Sequence, residues 1–268
     1  MTTITARLPA ARGALAAEWI KLRSVRSTYL ALAAAALAAI ALGYLVTHYQ
    51  ANSTPAWAHL SSKARATWDP VSFSLAGLAI AQLAFGVLGV LAISSEHATG
   101  LIRTTFAAQP RRRAVLAAKA TVAGAVTLAA GELIALAAFF TGQQALSAKH
   151  LEAALSDPGV LRGVLAAGLY LAVITLVGLG LGAIIRHTAG AIAAMFGLVF
   201  LIPQVIHAMP APWDTSIGKY MLDNAGQQMS ALHGAPGYFP PGASLIICIA
   251  YPVVAFAAAA FVITRRDA

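Results

Sequence analysis

The residues of this chain with chemistry to offer are few and unevenly placed. Between Glu96 and Lys119 the sequence reads EHATGLIRTTFAAQPRRRAVLAAK, a short basic segment set between two long apolar runs. Its charged groups suit docking, and Arg111, Arg112 and Arg113 at its end can meet anionic lipid head groups. Two polar residues stand inside apolar runs. Glu132 is the only acid deep in one, and Gln82 in another is expected to bridge helices. A carboxylate in the middle of a bilayer costs roughly 2.5–3.5 kcal/mol, so Glu132 must be protonated, paired or turned to a cavity. It either lines a cavity or makes a hydrogen-bonded contact between helices, and the contact is the preferred reading. The seven histidines have no metal-ligand spacing, and no Ser/His/Asp set or carboxylate pair can be assembled. The one cysteine, Cys248, excludes an intramolecular disulfide or a cysteine metal site. No catalytic, cofactor-binding or metal residue is assigned.

Composition explains what must position these groups. Of 268 residues, 59% are hydrophobic and 10% charged, with a mean hydropathy of +0.76. A soluble domain carries about 25% charged residues, so a membrane protein is expected. The net charge of +9 would suggest nucleic acid in a soluble chain. Here the cations fall between apolar runs, which points to membrane topology and to no nucleic-acid partner.

Six runs suit transmembrane helices, each needing roughly 20 apolar residues to cross about 30 Å of hydrocarbon. They are Thr28–Thr47, Val71–Ile93, Ala114–Thr141, Val160–Ile185, Thr188–His207 and Ala243–Thr264. Only Arg186 and His187 separate the fourth from the fifth, which demands a tight turn. Pro203 and Pro252 should kink their spans. The spacing Gly178-Leu179-Gly180-Leu181-Gly182 permits close helix approach, expected within the chain rather than at a dimer seam. With the N-terminus cytoplasmic, the outer segments hold only Lys63, Arg65, Lys149, Arg162 and Lys219, so 13 of the 18 Lys and Arg lie inside. That bias predicts both termini in the cytoplasm.

Before the first span, Ala14 to Arg26 places Leu15, Trp19 and Leu22 on one helical face, with Glu18 able to pair with Lys21. A helix with Trp on an apolar side and cations opposite suits the membrane surface. After the second span, Ser94 or Ser95 could cap a short helix, with Glu96 favourable in its first turn. Gly100 weakens that helix and Pro110 ends it. Outside, the loop from Ala208 to Gly242 is proline-rich around a short helix expected from Thr215 to Leu232, with Trp213, Tyr220, Tyr238 and Phe239 in the interfacial belt.

Three stretches together resemble the permease subunits of type-2 ATP-binding-cassette (ABC) transporters, those of actinobacterial character in particular. They are Glu18-Trp19-Ile20-Lys21-Leu22-Arg23-Ser24, the segment Glu96 to Arg112 with Gly100, Ile102-Arg103-Thr104-Thr105 and Pro110-Arg111, and Tyr220 to Gln227. Leu222 departs from the proline more often found in that outer loop. The resemblance implies one permease domain over residues 1–268: all-α, integral to the cell membrane, with an N-terminal amphipathic helix and a short cytoplasmic coupling helix. It implies a coupling helix at Ser94 to Gln109, with Glu96, Gly100, Arg103, Thr104 and Pro110 toward an ATP-binding-cassette ATPase. It leaves Trp19 and Arg111 to Arg113 at the lipid surface, and adds a second permease copy, identical or different. The chain contains no G-x-x-x-x-G-K-[ST] phosphate loop, so ATP would be hydrolysed by a separate subunit. The alternatives are an ion-gradient transporter, which usually shows repeated halves and several intramembrane charges, and a membrane anchor or assembly protein that transports nothing.

Overall fold

Where no water reaches the backbone, an alanine- and leucine-rich run must satisfy its own N–H and C=O groups, and the helix does so within one segment. The computed structural model describes residues 7–101 and 112–265, and among these residues every regular element is helical. Six helices are long and apolar enough to cross a membrane: Arg26–Ser53, Leu78–Ala98, Arg112–Lys149, Val160–Ile185, Thr188–His207 and Pro241–Val262. They are called spans one to six below. The chain thus has the build of a multi-pass membrane protein.

Span four is the centre. Most of its residues are buried, and spans two, three, five and six all pack on it. Its glycines set how close span two can come. A Cβ at Gly89 of span two would stand 2.0 Å from the Thr175 carbonyl oxygen, and one at Gly178 would stand 2.4 Å from that of Gly86. Backbone therefore meets backbone, and Gly178 and Gly182 face span two within the chain, as expected.

Spans four and five keep the boundaries read from the sequence. Their two-residue joint closes by a specific device. Arg186 adopts a left-handed conformation (φ 59°) and returns its N–H to the Gly182 carbonyl. The His187 ring then caps span five, Nδ1 accepting from the Gly190 N–H at 3.1 Å. Within span five, Gly197–Leu201 widens to a π-helical turn just ahead of Pro203, and the Ile202 N–H reaches back to the Gly197 oxygen. Span six runs helically through Pro252.

Three expectations need correction. Span two begins at Leu78, behind a separate short helix, Pro70–Ser74, because Asp69 and Pro70 start a new turn: Asp69 accepts from the Ser72 N–H at 3.0 Å. Span two also continues unbroken through Ser94 and Ser95 to Ala98. Neither serine caps a helix; Ser95 Oγ bonds back to the Leu91 carbonyl at 2.6 Å, and buried Ser94 accepts from Thr188 Oγ1 at 3.0 Å. Finally, the outer helix expected from Thr215 to Leu232 is two helices, Trp213–Gly218 and Leu222–Ser230. A helical N–H at Lys219 and the Tyr220 and Met221 turn bonds finish the first before Met221, extended, opens the second.

Candidate functional site

Four charged side chains distant in sequence meet at one end of the bundle. The N-terminal helix, Arg7–Ser24, packs along the start of span three and turns Glu18 inward. Lys119, on span three, donates to Glu18 Oε2 and, at 2.8 Å, to Glu96 Oε1 on span two. Lys21 donates at 3.0 Å to Glu18 Oε1 and at 3.0 Å to the same Glu96 Oε1. The Glu18, Glu96 and Lys119 side chains are less than a tenth exposed, while Lys21 is 41% exposed. Two positive and two negative charges balance, which a buried cluster requires, since an uncompensated ion in a low dielectric is costly. Burial works against the Lys21 ammonium, yet its hydrogen bonds to Glu96 and Glu18 and their charges outweigh it and hold its pKa above 10.5. Glu96 Oε2 is buried without a hydrogen-bond partner among the described residues.

The Glu18–Lys21 pair was expected from spacing; its joining to Glu96 and Lys119 was not. Glu96 is not turned outward to a docking surface: it is 7% exposed and lies on span two's last turn, facing the two lysines. Gly100 follows with φ +74°, a left-handed conformation that ends the span cheaply only for glycine. Arg103, Thr104, Pro110 and Arg111 lie outside the described residues. Arg112 and Arg113 begin span three, half-buried and exposed respectively. Trp19 is 49% exposed beside Ile20 at 66%, so the N-terminal helix shows apolar side chains outward while Glu18 docks inward. Lys119 was missed as a partner, although a lysine inside the third apolar run carried the signal of a paired intramembrane charge.

Gln82 bridges helices as expected: the buried Tyr170 hydroxyl of span four donates to its Oε1 at 2.8 Å. It also lines a shallow groove between spans two and five, with Leu83 and Val87 on one side and Met195, Phe196 and Val199 on the other. Glu132 stands elsewhere, in the notch left by Gly168 of span four. A Cβ there would lie 2.5 Å from Glu132 Cδ, and its buried Oε2 has no hydrogen-bond partner among the described residues. The contact between helices is present, then, without a hydrogen bond at that oxygen.

At the opposite end, single side chains fasten loops to helices. Arg162 donates to the Met229 and Ala231 carbonyls at 2.6 and 2.9 Å, and Lys149 to those of Asn52 and Thr54 at 3.2 and 2.7 Å. Gln143 donates to Pro70 O and Ser74 Oγ and accepts from the Ala153 N–H. Asp69 accepts from the Leu232 N–H at 2.9 Å. No protein-family model and no curated protein matches the sequence.

Proposed function

We propose that the chain is the permease subunit of an ABC-type exporter, moving a substrate across the cell membrane with ATP hydrolysed by a separate subunit. The observation that carries this reading is the four-residue ion network. It ties the N-terminal helix to the ends of spans two and three, the two helices that flank the basic segment where an ATPase would push. A force on that segment reaches two spans at once through Glu96 and Lys119. The missing phosphate loop assigns hydrolysis to the partner, and the groove beside Gln82 gives an apolar substrate a surface to meet.

In this reading the two termini and the network end are cytoplasmic. The excess of Lys and Arg, 13 of 18, on the network side supports that orientation. Residues 94–109 form the coupling region, with Arg103, Thr104 and Pro110 toward the ATPase and Glu96 acting from inside. Trp19 and Arg111 to Arg113 hold the lipid surface, and a second permease copy completes the pathway.

Co-purification with an ATPase subunit encoded beside this chain tests the proposal. Arg103→Ala is expected to weaken association with the ATPase, whereas Glu96→Gln keeps association and lowers coupled ATPase activity. If the wild type neither binds such a subunit nor changes its turnover, the proposal fails. Orientation is checked in a Cys248→Ala background, where Thr99→Cys should react with an impermeant thiol reagent only from the cytoplasmic side.

A further inference from the structure

Glu132 makes no hydrogen bond or ion pair with any described residue, although it stands deep in the longest span. Along span three it lies thirteen residues past Lys119 of the ion network and seventeen short of Lys149. At the helix rise these are about 20 and about 25 Å, which puts the carboxyl inside the hydrocarbon. At about 100° per residue, it falls within the helix face where Ala125, Leu128, Ala129 and Leu133 are exposed. That face looks away from the other spans, toward lipid.

The two carboxyl oxygens differ. Oε2 is buried against span four, where a Cβ at Gly168 would stand 2.6 Å from it, and no N–H or O–H reaches it. Oε1 is not enclosed, and through it the half-buried residue meets the surface. A carboxylate with no cation beside it is costly at this depth, so the group is protonated. The buried oxygen, in an apolar notch, is the carbonyl, and the proton is on Oε1. An acid O–H therefore faces hydrocarbon, where lipid tails supply no acceptor.

We propose that this notch is a binding site for lipophilic amines that enter from the bilayer. The proton passes from Oε1 to the lone pair of the amine nitrogen, and no other bond changes. The ammonium and the carboxylate remain as a charge-balanced pair joined by a hydrogen bond, stronger than one between neutral groups. Leu128 and Leu133 of span three and Leu165 of span four, all exposed, offer apolar contact to the rest of the amine. The site needs only the membrane-spanning build and is independent of the permease reading.

Dicyclohexylcarbodiimide, which is apolar and attacks protonated carboxyls, reports on the site in the full-length protein in lipid nanodiscs at neutral pH. The Glu132 proton moves to one carbodiimide nitrogen as Oε1 bonds to the central carbon. The acyl group then shifts to the other nitrogen and leaves a stable acylurea. Mass spectrometry is expected to find this adduct at Glu132 and not at Glu152, exposed on the loop between spans three and four. N,N-dimethyladamantylamine should block the labelling at a concentration about ten-fold lower than isopropyladamantane, which has C–H in place of the nitrogen. That factor is the contribution of one charge-assisted hydrogen bond. Native mass spectrometry should also show the amine retained on the wild type and lost from Glu132→Gln, with melting temperature reporting that the variant is folded.

Absence of the adduct at Glu132 overturns the site, because the carboxyl is then either ionised or closed to lipid. Equal blocking by the amine and the hydrocarbon overturns the recognition of amines, and this comparison needs no variant. An amine that stays on Glu132→Gln as it does on the wild type overturns Glu132 as its anchor.

Discussion

The two ends of the helix bundle are fastened by different chemistry. At the end near Glu96, three helices meet through four charged side chains that share partners, with Glu96 Oε1 accepting from two ammonium groups. At the other end, each fastening is a single neutral or cationic side chain bonded chiefly to backbone: Arg162 at the end of the outer helix, Lys149 at the end of span one, Gln143 at Pro70 and the loop at Ala153. A shared ionic cluster can exchange partners while keeping its charge balanced. A side chain that caps backbone groups cannot move without leaving a carbonyl or N–H unpaired. The first end is held by shared charge, the second by capped backbone.

The largest test of this difference is Lys119→Ala. It leaves two buried carboxylates with only the half-exposed Lys21, and should cost about 3–5 kcal/mol of stability in detergent unfolding. Arg162→Ala removes hydrogen bonds to two carbonyls at the edge and should cost less, about 1–3 kcal/mol. If Arg162 proves the costlier loss, the contrast between the ends is wrong. Gln143→Leu, which strands the Ala153 N–H and leaves the Pro70 carbonyl only its bond from Ser74 Oγ, belongs in the same about 1–3 kcal/mol range.

Lys21→Met should cost less again, about 0.2–1 kcal/mol, because its side chain is 41% exposed. Its pKa in the fold is raised above 10.5. The contribution of this arm is therefore fully present below pH 10.5 and is lost as pH rises through the folded value. The stability gap between wild type and Lys21→Met should close in alkaline unfolding curves; a gap that instead widened there would contradict the pairing.

The smallest effect is expected at Glu132→Leu. Its Oε2 has no partner to lose, so melting temperature should hold or rise slightly. Loss of transport with an unchanged melting temperature would instead return Glu132 to the cavity reading.

Local signals carried much of this fold. The apolar lengths of spans four and five, the two-residue joint at Arg186 and His187, and the Gly178 spacing all report on neighbours close in sequence. So does the pairing of Glu18 with Lys21. The candidate site was legible only in pieces, because Glu18 and Lys119 are 101 residues apart and no periodicity announces their meeting. Two local readings were corrected by bonds the spacing does not announce. The Leu15, Trp19 and Leu22 stripe suggested which face of the N-terminal helix was special, whereas docking is set by Glu18 beside it. Ser94 and Ser95 looked like a helix start, yet their hydroxyls bond within and between spans, so the helix passes through them.

Span two carries both Glu96 and Gln82, fourteen residues apart, a distance of about 21 Å along a helix. Gly89 lies midway, at the point where backbone presses on the Thr175 carbonyl of span four. With Gly86 pressed on Gly178 and Val90 on Gly182, span two lies against span four along this whole stretch, like a rod bedded in a channel. A bulkier side chain at Gly89 would lift the rod from its bed and part Glu96 and Gln82 from the helices they now touch.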